Sequence, residues 1–207
     1  MLCNTFRSLD ETELLEMAKF AKGKIKAIVM HWTAGNYGHV YDDYHFCINS
    51  DGSFDVPLGR QIDCLGLVLA HTWRRNTGVV GIAIEAARGA KCKNTDEAGL
   101  EIVWGKKAVP TPEQIDGLAR AVAIICYGSG IPLNNDCVVT HAEIASVDGY
   151  GYEDDDPEMK WDLLRLPGQL GNGGDIIRAR AESYLQALQK GTFPFRESEI
   201  LPDGNAD

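Results

Sequence analysis

The sequence predicts an α/β fold: one domain with a mixed central β-sheet flanked by helices. Three observations carry this. Short apolar runs rich in β-branched residues, at 25–30, 78–87 and 137–140, alternate with stretches of helical period, the order expected of a sheet covered by helices. Two further runs are joined by Asp51-Gly52, a hairpin signal that adds antiparallel strands to an otherwise parallel set. The 207 residues, 44% hydrophobic and 24% charged, suit one hydrophobic core with modest extensions.

Residues 9–21 read as an amphipathic helix, with Leu14, Met17, Ala18 and Ala21 on one stripe, acids in the first turn and lysines at the end. Ser8 or Asp10 can cap it. After Gly23 comes a buried strand that ends on His31, and Thr33-Ala34-Gly35 turns the chain into a polar, aromatic loop over 36–43. The hairpin follows, from 44–49 to 54–57. Strict alternation puts Tyr44 and Phe46 on one face and His45 on the other, so His45 reads as structural.

The apolar run 65–70 leads into His71-Thr72-Trp73-Arg74-Arg75-Asn76, which fits a ligand-binding loop and a solvated loop with one packed Trp equally well. Residues 78–87 form a buried strand with Glu85 as its one ionisable side chain, and 90–109 an excursion with a short hairpin. Thr111, Pro112 and Gln114 spell a capping box that starts a helix running to about Tyr127, stopped by Gly128-Ser129-Gly130. A short strand, 137–140, delivers His141. Residues 146–158 read as a second excursion, whose acidic run from Glu153 to Asp156 lacks the spacing of an EF-hand loop. A last helix covers 175–188, and 193–207 is an acidic, frayed tail.

A formal net charge of -10 argues against a nucleic-acid binder, which would show a basic face. No apolar run is long enough for membrane insertion, and residues 1–22 lack the pattern of a signal peptide. The six cysteines, without metal-type spacing and several inside apolar runs, read as buried free thiols. Synthesis in a reducing cytoplasm is expected.

His31 and His141 both stand at strand ends, where the sheet holds the side chain and a loop leaves room for a ligand. A lone histidine there is most simply a hydrogen-bonded core group. Two of them with one carboxylate are the open three-ligand set of a hydrolytic zinc site.

The motifs Met30-His31-Trp32-Thr33, Tyr44-His45-Phe46 before Asp51-Gly52, Ala70-His71-Thr72 with Asn76, Val80-Gly81-Ile82-Ala83-Ile84, Pro110-Thr111 with Gln114, Thr140-His141-Ala142-Glu143 and Lys160-Trp161-Asp162 occur in one order. Together they resemble the zinc-dependent N-acetylmuramoyl-L-alanine amidases of the peptidoglycan-recognition-protein type, in their phage-like lytic form, over residues 25–166. The resemblance implies that His31 and His141 bind Zn2+ with Asp162 as third ligand and Asp156 as runner-up. It implies that Lys160 faces the developing oxyanion, that Tyr44 stands beside the zinc water, and that His71, Trp73 and Asn76 line the substrate groove. Where some family members carry a Glu, this chain has Ala83. The substrate implied is peptidoglycan, cut between N-acetylmuramic acid and L-alanine at the cell wall after release or delivery, with an inhibitor or immunity protein as a further partner. The same fold with an incomplete site would be a non-catalytic peptidoglycan-binding module. On this reading 1–23 is a helical extension, 24–190 the amidase domain and 191–207 a tail.

Overall fold

In the computed structural model, which describes residues 1–3, 5–95, 99–149 and 161–196, the apolar runs become the centre of one sheet. In chain order the strands are β1 (Phe6–Leu9), β2 (Ala27–Trp32), β3 (Phe46–Ile48), β4 (Phe54–Pro57), β5 (Val79–Ile84), β6 (Lys91–Thr95), β7 (Gly99–Val103) and β8 (Val138–Thr140). Six of them lie in the order β1-β4-β3-β5-β2-β8, while β6 and β7 form a separate antiparallel ribbon. β3, β5, β2 and β8 run parallel, and β4 and β1 extend the sheet antiparallel through the expected hairpin. The mixed α/β sheet is the one the sequence predicts.

The helices are α1 (Glu11–Phe20), α2 (Pro112–Ser129), α3 (His141–Asp148) and α4 (Gly173–Lys190). α1, α2 and α4 pack on one face of the sheet, where Leu14, Leu118 and Ile177 share a core with Met30, Phe46 and Ile82. Because strand side chains alternate, His31, Ala83 and Cys47, matched side by side in the register, belong to the opposite face. There, among the described residues, α3 packs Ile144 and Ala145 against Val29 and Val79, with Ala27 and Val139 beside them. This is the face that carries His31.

Several segments depart from expectation. β1 is an edge strand of four residues, too short to show a period. Residues 1–23 therefore supply an edge strand as well as the expected helix. The apolar run 65–70 holds a single 3-10 turn, Cys64–Gly66. The start of the second excursion is helical, because Thr140 and Glu143 form a capping box that opens α3 at His141.

The start of the tail is docked. Phe193 is buried, the Pro194 carbonyl accepts from Arg120 at 2.6 Å, and Glu11 accepts from the Arg196 backbone N–H at 2.8 Å. Beneath it Arg120 and Glu11 form a buried two-bond ion pair, at 2.5 and 2.6 Å. The cysteines are free thiols, with Cys47, Cys64 and Cys126 buried. Among the described residues no helix is long and apolar enough to cross a membrane.

Candidate metal centre

His31 sits one residue from the end of β2, between β5 and β8, and its neighbour across the ladder is the small Ala83. His141 is the first residue of α3. The capping box aims it: Thr140 Oγ1 accepts from the Glu143 N–H at 3.2 Å, and Glu143 Oε2 accepts from the Thr140 N–H at 2.8 Å. Arg178 of α4 holds the same Glu143 carboxylate with two bonds, at 2.8 and 2.9 Å. Asp162 is tied to both elements. Its Oδ1 accepts from the Trp32 N–H at 2.8 Å, and its carbonyl accepts from the Ala142 N–H at 3.1 Å. Trp161 packs edge-on against Trp32, 5.2 Å between ring centroids, and anchors the turn that carries Asp162.

These ties bring three buried side chains together. Asp162 Oδ2 lies 3.1 Å from His31 Nδ1 and 3.2 Å from His141 Nδ1. The three donor atoms all fall within 4.8 Å of one another, so the group can hold a metal ion. Two imidazole nitrogens and one carboxylate oxygen are the donor set of an open, three-ligand centre. The protonation states suit it. Burial pushes the His31 pKa down, against the pull of Asp162, which keeps the ring neutral. Burial alone would raise Asp162, but the bonds from His141 and His31 outweigh it and hold the carboxylate below its usual range.

Tyr44 stands beside the group, its ring centroid 5.1 Å from that of His31. Burial, and after it the Asp162 charge, raise its pKa well above the ordinary value, so the phenol keeps its proton. Strict alternation does not extend to Tyr44, which precedes β3, and Tyr44 and His45 both face the centre's side of the sheet. His45 is nonetheless structural: its Nδ1 accepts from the Gly81 N–H at 2.9 Å and its Nε2 donates to the Leu67 carbonyl at 3.1 Å. Burial lowers its pKa to about 4.

The groove residues expected from the sequence separate. His71 is buried beside His31, with its Nδ1 3.2 Å from His31 Nε2. Burial, then the charges of His31 and His45, lower its pKa to about 3. Trp73 is half exposed, with the Arg74 guanidinium stacked 4.1 Å from its ring. Asn76 Oδ1 closes its own loop by accepting from the Thr72 N–H at 2.9 Å. Between this loop and α3 opens a cavity of about 490 Å³, floored by Val29, Val79 and Val139 and rimmed by Lys26 and Arg74. Lys160 and Asp156 lie outside the described residues.

One contributor to the site has no signal within its own segment: Gly81 makes room for His71, and a Cβ there would come within 2.5 Å of the imidazole. Glu85 is wholly buried, its Oε2 accepting from the Gly38 N–H at 2.7 Å, and burial together with Asp55 raises its pKa to about 7.

A comparison with curated proteins finds no match. A protein family described as N-acetylmuramoyl-L-alanine amidase matches residues 21–162, a span that includes β2, the hairpin, β5, α2 and all three members of the metal group. With well over half of its length matched, the chain belongs to the N-acetylmuramoyl-L-alanine amidase family.

Proposed function

We propose that this chain is a zinc-dependent amidase that hydrolyses the bond between the lactyl group of N-acetylmuramic acid and L-alanine in peptidoglycan. The buried convergence of His31, His141 and Asp162 carries this reading. Zinc bound there would supply an acidified water and a polarised carbonyl. His31 and His141 offer Nδ1, and Asp162 offers Oδ2 as the one anionic ligand. Tyr44, protonated at neutral pH, orients the attacking water or donates to the developing oxyanion. Lys160 brings a positive charge to that oxyanion. Trp73 gives a half-exposed aromatic face for a sugar ring. Residues 24–190 form the catalytic unit, used in a lytic setting of the phage type and open to control by an inhibitor protein.

The test is metal content together with amine release from purified peptidoglycan. One zinc per chain and new L-alanine amino termini support the proposal. A protein that binds the polymer, takes up no zinc and releases no amine overturns it in favour of a recognition module.

A further inference from the structure

His71 lies next to the metal group but outside it. We propose that His71 is a positioning residue: it accepts the Nε2 proton of His31 and so fixes the tautomer and ring plane that present His31 Nδ1 to a metal. The inference rests on the zinc reading above.

A neutral imidazole carries one N–H, so each ring has one donor and one acceptor nitrogen. Without metal, His31 Nδ1 donates to Asp162 Oδ2; a bound metal takes the place of that proton, so in the loaded protein Nδ1 must be bare. The His31 proton then sits on Nε2, which lies 3.2 Å from His71 Nδ1. That nitrogen must be bare in turn, so the His71 proton sits on its own Nε2, which faces the Val79 carbonyl at 3.4 Å. The three assignments agree with one another. They end on the backbone of β5, which cannot shift without the sheet.

The surroundings hold His71 in place for this role. Asn76 pins the Thr72 backbone, and the Thr72 hydroxyl, 2.9 Å from the same Nδ1, shares that acceptor with the His31 N–H. Gly81 leaves the space that the ring fills, and its N–H is held by His45. The His45 and His71 rings meet edge to face, 5.8 Å between centroids. The loop, β5 and the residue before β3 thus converge on one imidazole. A ligand histidine whose outer nitrogen is held this way keeps its geometry, and loss of such a partner typically costs ~10–100-fold in metal affinity.

Three variants and one spectrum test it. Zinc affinity is measured by chelator competition for the wild type, His71→Ala, His71→Asn and Gly81→Ala, with thermal unfolding of the metal-free proteins beside it. Asn places an amide oxygen near the position of Nδ1 and keeps the acceptor. We expect His71→Ala to weaken zinc binding ~10–100-fold, Gly81→Ala to weaken it by displacing the ring, and His71→Asn to restore most of the loss. In the zinc-loaded wild type, ¹⁵N spectra should show His31 protonated at Nε2, with a nitrogen–nitrogen coupling to His71 Nδ1 across the hydrogen bond. This reading stands even where a variant fails to fold. Wild-type affinity in His71→Ala, or His31 protonated at Nδ1 in the zinc-loaded protein, overturns the inference. So does a His71→Asn as weak as His71→Ala, which would reduce His71 to packing. A wild type that takes up no zinc refutes the metal reading itself, and the two failures are therefore distinct.

Discussion

Asp162→Asn isolates what the carboxylate does, because it changes charge and ligand chemistry while keeping shape. The amide oxygen can keep the 2.8 Å bond from the Trp32 N–H. The amide nitrogen replaces Oδ2 and turns N–H groups toward His31 and His141, where a metal would need a lone pair. The metal-free protein loses both contacts of Oδ2, to His31 and to His141, about 1.5–3 kcal/mol each. At roughly 2–4 °C per kcal/mol for a chain of this size, its melting point falls by less than about 24 °C. Zinc at a thousand times its dissociation constant stabilises the native state by about 4 kcal/mol, or roughly 8–16 °C. The diagnostic quantity is therefore the zinc-induced shift and not the absolute melting point. Calorimetry on chelator-stripped protein, with and without zinc, should give the full shift for the wild type and none for Asp162→Asn. Asp156→Ala should keep it. A full shift in Asp162→Asn, or its loss in Asp156→Ala, would refute the ligand assignment.

Tyr44→Phe should lower kcat by about 100-fold or more with metal content unchanged, read by amine release and metal analysis on one preparation; a loss of both would make Tyr44 a structural residue. Glu85 holds its proton in the fold up to about pH 7, against an ordinary value of 4.5, so the native state binds more protons than the unfolded chain across that window. Stability then falls as pH rises from 4.5 to about 7, by on the order of 3 kcal/mol from this group. Glu85→Gln should flatten that slope in urea titrations at several pH values, and an unchanged slope would exclude Glu85 as its source. Glu11→Ala leaves the Arg120 guanidinium buried without its carboxylate, and should cost about 3–5 kcal/mol in urea unfolding while zinc binding by the folded fraction is kept. A neutral Glu11→Ala would mean that water reaches Arg120.

The elements legible in the sequence are those whose signals are local. Asp51-Gly52 between two apolar runs specified the β3–β4 hairpin, and Thr111, Pro112 and Gln114 specified the start of α2, because turn and cap chemistry act within four residues. β1 was not legible, since a four-residue edge strand has no measurable period and gains its hydrogen bonds from β4, 45 residues away at the Leu9↔Phe54 pair with no local trace. α3 also has a local signal, the capping-box spacing of Thr140 and Glu143, which directly follows the apolar run of β8.

By itself the sequence determined the fold class, the two histidines at strand ends and a small set of candidate acids. Periodicity and motif order carry that much. Only the tertiary structure decided which groups meet. Asp162 reaches His31 across 131 residues and His141 across 21 because Trp32 and Ala142 donate to it from different elements. His71 meets His31 because Gly81 lacks a side chain, leaving space that a polar ring fills with its hydrogen bonds satisfied. Such choices depend on distances between segments remote in sequence, and those distances exist only once the sheet has formed.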